Sequence, residues 1–411
     1  MNTPPRFHDL AVARITPDAP GSVCISLHIP EPLRSTFAFE PGQFITPRTT
    51  LAGQDIRRNY SICSTPAQLA HSGLIDVGVR QVPGGLFSTW ANTQLQVGTV
   101  LACMPPDGRF VVRRPRAIHR VGFAAGSGIT PILSILRHNL ETSAHSRFTL
   151  VYGNRRMGSV MFNEALQDLK DRYTDRLTLI HVLSRQAQEV PLLEGRIDGA
   201  KVKALINAFL PVPSMEEVFV CGPEGMIDDT EAALREAGVK PERIHSERFT
   251  SNSPARPAPV ETGLAPDGAQ VRVVLDGKSH VLVVPPHQAV LDAAVEAGLD
   301  VPFACKAGVC CTCRAKVMQG SAQMAKNFTL TAAECDQGFV LTCQARPTSD
   351  DLVLSYDERS KTGTGRNFLR PSVAARPKRP CFGSSCKSAS PGHPLDAVAH
   401  TNRSPHPNQR P

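Results

Sequence analysis

The chain has 411 residues, of which 41% are hydrophobic and 20% are charged, so it is long enough for about two to four globular domains. Its formal net charge is +8, but this excess lies entirely after Ser360 and residues 1–360 are balanced. That distribution argues against a specific nucleic-acid partner. The lack of an uninterrupted apolar run of membrane length argues against a membrane span.

The location of the cysteines indicates a compartment. Twelve cysteines would suggest disulfides in a secreted chain, but six lie between Cys305 and Cys343, which favours a metal centre. The first ten residues lack the basic and apolar regions of a secretory signal. We therefore expect a cytoplasmic protein. The basic segment 361–411 is rich in Pro, Ser and Arg without periodicity, which predicts a disordered tail.

Residues 1–114 contain short apolar strands separated by turn residues, which predicts an antiparallel β-barrel. In Arg58-Asn59-Tyr60-Ser61 the arginine can pair with a flavin phosphate, and the tyrosine two residues later shares its face of a strand. Tyr60 can stack on a flavin ring while Ser61 bonds the ring edge; an ordinary barrel residue is the alternative. Examples of the predicted strands are 23–29, 44–47, 74–82 and 99–104.

A second motif in this region is Gly84-Gly85-Leu86-Phe87-Ser88. Glycines that open a helix leave free N–H groups for a pyrophosphate, whereas a plain hairpin turn would explain the same glycines. The two motifs together, ahead of a nucleotide-type domain, favour a flavin site.

Residues 115–250 alternate strands and helices, which predicts a doubly wound parallel α/β sheet. After a strand at 120–125, Gly126-Ser127-Gly128-Ile129-Thr130-Pro131 forms a phosphate-cradling turn, with Thr130 expected as the helix N-cap. Pro131 occupies the third-glycine position of the dinucleotide fingerprint, so the motif is not the standard Rossmann match. Further strands are expected at 148–152, 177–183 and 217–221, and a helix at 224–236.

Polar residues follow these strands at the carboxyl edge, where open parallel sheets bind ligands. Ser184-Arg185 can grip a 2′-phosphate, which favours NADPH, although NADH remains possible. Arg156 is expected to be a surface residue. Cys221 before Gly222 and Pro223 suits a nicotinamide ring against the sheet edge, or else is a buried structural cysteine.

Residues 251–268 lack a pattern and are predicted to be a linker. From 269 to 360, two alternating strands around Asp276-Gly277 predict a hairpin, and a helix at 289–297 follows. With later strands at 339–341 and 352–354, this region is expected to be an α+β β-grasp domain.

The cysteines of this region carry the most specific signal. Cys305, Cys310 and Cys313 are separated by gaps of four and two, and Cys343 follows alone. This is the plant-type spacing for a 2Fe-2S cluster. A zinc site is the alternative, but zinc ligands usually come as paired short gaps on both sides. Cys311 would give gaps that fit no known pattern, so Cys311 and Cys335 are expected not to be ligands.

In order, the motifs above and Glu247-Arg248-Phe249 resemble the ferredoxin–NADP reductase superfamily with a C-terminal plant-type ferredoxin domain. Cys305-Lys306-Ala307-Gly308-Val309-Cys310 and Gly338-Phe339-Val340-Leu341-Thr342-Cys343 resemble the reductase subunits of multicomponent phenylacetyl-CoA epoxidases. The resemblance covers residues from about 6 to 358 and leaves out the basic tail.

The resemblance implies a role for each matching residue. Arg58, Tyr60 and Ser61 would hold FAD, with Gly85 and Ser88 at its pyrophosphate. Gly126, Gly128 and Thr130 would bind the pyrophosphate of NADPH, with Ser184 and Arg185 at its 2′-phosphate. Cys221 would lie near the nicotinamide, while Glu247 and Phe249 would close the flavin site.

These cofactors in one chain imply an electron relay from NADPH through FAD and the cluster to the di-iron oxygenase component of the epoxidase. One alternative is an NADH-dependent reductase of another bacterial ring-hydroxylating or steroid oxygenase, which would share every cofactor motif. The other is a non-catalytic electron-carrier or zinc-binding module, against which intact Arg58, Tyr60 and Ser61 argue.

Overall fold

The structure is a computed structural model, and it describes residues 6–112, 116, 118–210, 212–249 and 268–358. The predicted linker, apart from Gly268, and the predicted tail lie outside the described residues.

The first part of the chain is an antiparallel barrel in which alternate apolar side chains of each strand face inward, such as Val23, Ile25 and Leu27. The strand order is β4-β3-β7-β1-β2-β6, with β5 also paired to β3. A bridge between Ile62 and Val77 joins the end of β5 to β6 and closes the sheet. The elements are β1 His8–Pro17, β2 Ser22–His28, β3 Phe44–Leu51, β4 Gln54–Arg57, β5 Tyr60–Ser61, α1 Pro66–Ser72, β6 Leu74–Arg80, α2 Leu86–Thr93 and β7 Val100–Asp107.

The second part is a five-stranded parallel sheet covered by helices on both faces, which confirms the predicted doubly wound fold. The strand order is β10-β9-β8-β11-β12, so the chain reverses direction across the sheet beside β8. Helices α3 and α4 pack on one face, and α5 and α6 on the other. The elements are β8 His119–Ala125, α3 Ile129–Thr142, β9 Arg147–Asn154, α4 Asn163–Arg172, β10 Leu177–Leu183, α5 Gly199–Phe209, β11 Glu217–Gly222, α6 Glu224–Glu236 and β12 Ile244–Arg248.

The third part is a β-grasp sheet of order β14-β13-β19-β15-β17 with a small second sheet of β16 and β18. The predicted hairpin is present, because Asp276 and Gly277 both have positive φ, as a tight two-residue turn requires. The elements are β13 Ala269–Leu275, β14 Lys278–Val284, α7 Val290–Glu296, β15 Arg314–Gln319, β16 Ala322–Met324, α8 Ala332–Asp336, β17 Phe339–Leu341, β18 Ala345–Pro347 and β19 Asp351–Ser355.

The β-grasp part packs against the barrel through a small apolar cluster. Phe44 of β3 is buried together with Ala304 and Cys310 of the cysteine loop. Because Phe44 pairs with Ser61 in the barrel sheet, this contact lies next to the Arg58–Ser61 motif.

Candidate functional site

The Arg58–Ser61 motif lies where β3 changes neighbours from β4 to β5. Tyr60 and Ser61 pair with Ile45 and Phe44, and the Tyr60 ring lies 5.1 Å from the ring of Phe87 on α2. Burial raises the pKa of the Tyr60 phenol, so it stays neutral. Arg58 is exposed, and its Nη1 donates a hydrogen bond to the carbonyl of Arg57 at 2.8 Å. The motif therefore presents a cation beside a ring that is held in place by packing.

The Gly84–Ser88 motif opens helix α2, with Gly85 as its N-cap, rather than a hairpin turn. The Ser88 hydroxyl accepts a hydrogen bond from the backbone N–H of Val82 at 3.2 Å and donates to the carbonyl of Gly85. Ser88 therefore fixes the loop before the helix. A Cβ on Gly85 would lie 2.5 Å from the Ser88 Oγ, which leaves no space for a larger residue.

Glu247 near the end of β12 extends from the parallel sheet to the Arg58–Ser61 motif, which we call the flavin motif. Ser61 Oγ donates a hydrogen bond to Glu247 Oε2 at 2.9 Å, across 186 residues of sequence. Burial raises the pKa of Glu247 to about 8, although the hydrogen bond from Ser61 opposes the rise. At neutral pH this carboxyl group can hold a proton beside Ser61.

Cys221 lies opposite Glu247 in the pairing of β11 with β12 and has no exposed surface. Burial, followed by the charge of Glu247, raises the pKa of the Cys221 thiol. Phe249, just beyond β12, is 38% exposed. Glu247 thus contacts the flavin motif, Phe249 is half-exposed, and the Cys221 side chain is enclosed.

The glycine turn after β8 places backbone groups at the carboxyl edge of the sheet. Gly126 has a φ of +54°, and a Cβ on Gly128 would lie 2.1 Å from the carbonyl oxygen of Cys221. Gly128 therefore permits the close approach of α3 to β11. The predicted capping was wrong, because α3 begins at Ile129 and Gly128 precedes it. The Thr130 hydroxyl instead donates to the carbonyl of Ser127 at 3.0 Å, inside the first turn.

Ser184 and Arg185 follow β10 and are fixed by the neighbouring loop. Their backbone N–H groups donate to the carbonyls of Asn154 and Arg155, each at 2.9 Å. This pairing brings three arginines, Arg155, Arg156 and Arg185, around one cavity of about 590 Å³. Arg156 is exposed, as the sequence predicted, and it also lines this cavity.

The four cysteines Cys305, Cys310, Cys313 and Cys343 lie close together, and we call the segments that carry them the cluster loop. Cys305 contacts both Cys310 and Cys343 through its thiol, and Cys343 also contacts Cys313. The backbone N–H of Ala307 donates to the Cys305 sulfur at 3.3 Å, and Gly308 has a φ of +78°. Hydrogen bonding to Cys305 and burial raise the pKa of Cys310, so the thiol is protonated without iron.

This donor set suits a 2Fe-2S cluster, in which each of two irons takes two thiolates. In the described part of the chain, no three His, Cys, Asp or Glu side chains converge on a single-ion site. The N–H group directed at Cys305 is the type of contact that stabilises a bound thiolate.

Cys311 and Cys335 have other neighbours. Cys311 has a φ of +59°, and its thiol hydrogen-bonds Thr329. Burial raises the pKa of Cys311 to about 11. The Cys335 sulfur accepts from Asn327 Nδ2 at 3.5 Å. The expectation that neither is a ligand stays a prediction.

One cleft of about 2720 Å³ joins these regions. Arg58 lines it from the barrel, Gly126 to Gly128, Arg185 and Phe249 from the parallel sheet, and Cys305 and Cys343 from the cluster loop. Sequence reasoning missed Ser127, whose position inside the glycine turn was a usable signal. It also missed Arg57, for which no motif gave a signal.

Three family models match the chain, one for each of the three parts described above and in the same order. They are the oxidoreductase FAD-binding domain over residues 22–112, the oxidoreductase NAD-binding domain over 123–232 and the 2Fe-2S iron-sulfur cluster binding domain over 273–348.

The chain is 39% identical to a subunit of the 1,2-phenylacetyl-CoA epoxidase of Escherichia coli strain K12, over 86% of this chain and 98% of that protein. The chain belongs to the oxygenase-reductase family within the ferredoxin–NADP reductase superfamily. Another member, the ferredoxin reductase component of 3-ketosteroid-9-alpha-monooxygenase from Rhodococcus rhodochrous, is 33% identical over 84% of this chain and 96% of that protein. This oxygenase reductase is an NAD(P)H-dependent flavin and iron–sulfur oxidoreductase that delivers electrons to an oxygenase component.

Solved structures show the same fold. Phthalate dioxygenase reductase, described as a modular structure for electron transfer from pyridine nucleotides to [2Fe-2S], superposes with a TM-score of 0.55 at 21% identity, covering 85% of this chain and 98% of that one. An intact type IV self-sufficient cytochrome P450 monooxygenase gives a TM-score of 0.61 at 23% identity, covering 85% and 41%. None of the described helices combines the length and apolar character needed to cross a membrane.

Proposed function

We propose that this oxygenase reductase is a cytoplasmic, NADPH-dependent protein that supplies electrons to the di-iron oxygenase component of a phenylacetyl-CoA epoxidase. The match to nearly the whole length of the E. coli epoxidase protein supports the partner. The observation that carries the proposal is the cleft that Arg58 of the flavin motif, the glycine turn and the cluster loop all line.

In this proposal Arg58, Tyr60 and Ser61 hold the FAD, and Gly85 and Ser88 lie at its pyrophosphate. The exposed Arg58 guanidinium supplies the charge for a phosphate. Phe87 holds the Tyr60 ring at one orientation, which prepares it to stack on the flavin. The N-terminus of α2 offers backbone N–H groups.

The coenzyme lies against the carboxyl edge of the parallel sheet. Gly126 and Gly128 give its pyrophosphate access to the start of α3, and Thr130 acts by holding the Ser127 carbonyl. The buried Cys221 side chain supports the end of β11, against which the nicotinamide ring would lie. Ser184 and Arg185 bind the 2′-phosphate, and the adjacent Arg155 and Arg156 add positive charge to the same cavity.

Cys305, Cys310, Cys313 and Cys343 are the proposed cluster ligands. When bound, the cofactors convert the two-electron hydride of the coenzyme into single electrons, FAD by accepting hydride and the cluster by accepting one electron at a time. Ser61 Oγ donates a hydrogen bond to Glu247 Oε2 at 2.9 Å, and a pKa of about 8 lets the Glu247 carboxyl group carry a proton at neutral pH, so this pair would supply a proton beside the flavin edge. Phe249 restricts water at the mouth of the site.

The second candidate is an NADH-dependent reductase of a steroid or ring-hydroxylating oxygenase, which the 33% identity to the Rhodococcus component favours. It would use the same flavin and cluster residues. Only the coenzyme cavity and the partner distinguish the two candidates.

The test begins with anaerobic visible spectra of the holoprotein, titrated separately with NADPH and NADH. We expect flavin bleaching and loss of iron–sulfur absorbance at far lower NADPH than NADH. The reverse preference would contradict the roles of Ser184 and Arg185.

The partner is tested by mixing the reduced protein with the di-iron oxygenase component and phenylacetyl-CoA under oxygen. Formation of the ring epoxide supports the proposal, provided that a steroid oxygenase component accepts electrons more slowly. Faster transfer to the steroid component would favour the second candidate.

A further inference from the structure

The strand that leads into the flavin motif is joined to the segment that leads into the cluster loop by one buried arginine. Arg57, the last residue of β4, is only 4% exposed. Its Nη2 lies 3.0 Å from Asp300 Oδ1, and its Nη1 donates to the carbonyl of Val301 at 3.3 Å. Its Nε donates to Asp55 within the barrel at 3.1 Å. All three nitrogens of the guanidinium are therefore occupied: Nη1 by the β-grasp part, Nε by the barrel, and Nη2 by both, because it also lies 3.0 Å from Asp55 Oδ2.

Two aromatic rings also contact this guanidinium. Its central carbon lies 4.1 Å from the ring centre of Phe303 and 5.1 Å from that of Phe7. Two aromatic contacts and a fork of hydrogen bonds define both the position and the orientation of the contact. A lysine could replace the charge but not this geometry.

Both ends of the contact lie close to a proposed cofactor site along the chain. Arg57 directly precedes Arg58 and accepts a hydrogen bond from it at 2.8 Å. Phe303 lies two residues before Cys305. Phe44, Ala304 and Cys310 form a dry contact beside it, so the cluster loop lies directly on the strand that pairs with Ser61.

We propose that Arg57 is a positioning residue that fixes the separation between the flavin motif and the cluster loop, and this rests on the proposed function. With both cofactors bound, the step it would serve is the transfer of one electron from the flavin to the cluster. Electron transfer slows steeply as the separation grows, so a loosened contact lowers the rate without altering either cofactor site.

Arg57 lies between the two parts rather than inside either apolar core. Its guanidinium packs on Phe303 of the β-grasp core and bonds Asp55 of the barrel. The Asp300 side chain is largely exposed and also lies 3.9 Å from Arg48, so it is not left as an isolated buried charge when Arg57 is removed. Loss of Arg57 therefore removes a docking contact between two parts that keep their own cores.

The experiment follows rapid reduction of holoprotein by NADPH, with flavin bleaching and cluster reduction recorded separately. In Arg57→Ala we expect cluster reduction to slow by about tenfold or more, while flavin bleaching stays within about twofold of the wild type. Arg57→Lys should recover only part of the rate. Arg235→Ala, which removes an exposed ion pair within α6, is the matched control and should change neither phase.

A second measurement does not depend on turnover. Hydrogen exchange of the peptide containing Asp300 to Phe303 should accelerate in Arg57→Ala holoprotein and stay unchanged in Arg235→Ala. Unchanged exchange together with unchanged cluster reduction would overturn the proposal, and so would an equal loss in both kinetic phases. If wild-type flavin is not reduced by either coenzyme, the proposed function fails, whereas the exchange measurement still decides whether Arg57 docks the two parts.

Discussion

The cluster loop and the coenzyme cavity bind their ligands by different means. The loop brings four thiols together, and each would form a bond to iron for which other side chains are poor substitutes. The coenzyme cavity combines backbone of the glycine turn with exposed arginines such as Arg185, whose charges are screened by water. Loss of one thiol should therefore abolish a site, whereas loss of one arginine should only weaken binding.

The strongest test of this contrast is a pair of neighbouring cysteines. Cys310→Ser should lose the visible iron–sulfur bands and bound iron, because Cys310 lies among the other thiols. Cys311→Ser should keep both, because the Cys311 thiol faces Thr329. Visible spectra and iron content of the purified variants measure the effect. The opposite outcome would move the ligand set by one residue and remove the spacing argument.

The same contrast explains what the sequence could predict. Coordination by cysteine imposes a spacing that can be read along the chain. The helix at Glu224–Glu236 and the strand at Leu177–Leu183 were predicted with the bounds that the structure shows. Glu247 and Ser61 meet only because two sheets pack together, so their 2.9 Å hydrogen bond has no local signal. Arg57 was missed because arginines are usually exposed, and only its tertiary contacts show that it is buried.

Glu247 is neither a cluster ligand nor a charged contact to the coenzyme, because it acts through a proton. Glu247→Gln should slow flavin reduction by about a hundredfold, the lower end of what a general acid contributes. In the wild type the rate should fall as pH rises through about 8, where Glu247 loses its proton, and the glutamine variant should lack this step. Rapid-reduction rates across pH measure both.

The same pKa has a consequence for stability that serves as a control. Because the folded state raises the pKa of Glu247 to about 8, the folded protein holds a proton between pH 4.5 and 8 that the unfolded chain releases. This group therefore makes folding less favourable as pH rises through that window. Denaturant unfolding should show a shallower decline in Glu247→Gln, and equal slopes in the two proteins would contradict the raised pKa.

Substitution of Gly128 tests how the backbone of the glycine turn contributes to coenzyme binding. Gly128→Ala places a Cβ against the Cys221 carbonyl, so α3 must move away from β11. We expect a loss of about 1–3 kcal/mol in unfolding free energy, as for other overpacked sites, together with weaker binding of both coenzymes. Gly199→Ala at the start of α5 is the control, because its added Cβ would lie no closer than 3.7 Å to another atom and it lines neither cavity. Equal stability of the two variants would show that the turn tolerates a side chain.

Substitution of Arg185 tests how a charged side chain contributes to coenzyme binding, and it should have the smallest effect of these variants. Its guanidinium is exposed, so its attraction to a 2′-phosphate is worth at most about 1 kcal/mol, or about fivefold in affinity. Arg185→Ala should raise KM for NADPH by about that factor and leave KM for NADH unchanged, and the difference should shrink at high salt. Arg172→Ala, an exposed arginine at the end of α4 that lines neither cavity, is the control. A loss as complete as that of Cys310→Ser would mean that a single charge dominates the coenzyme site, and the contrast with the cluster loop would fail.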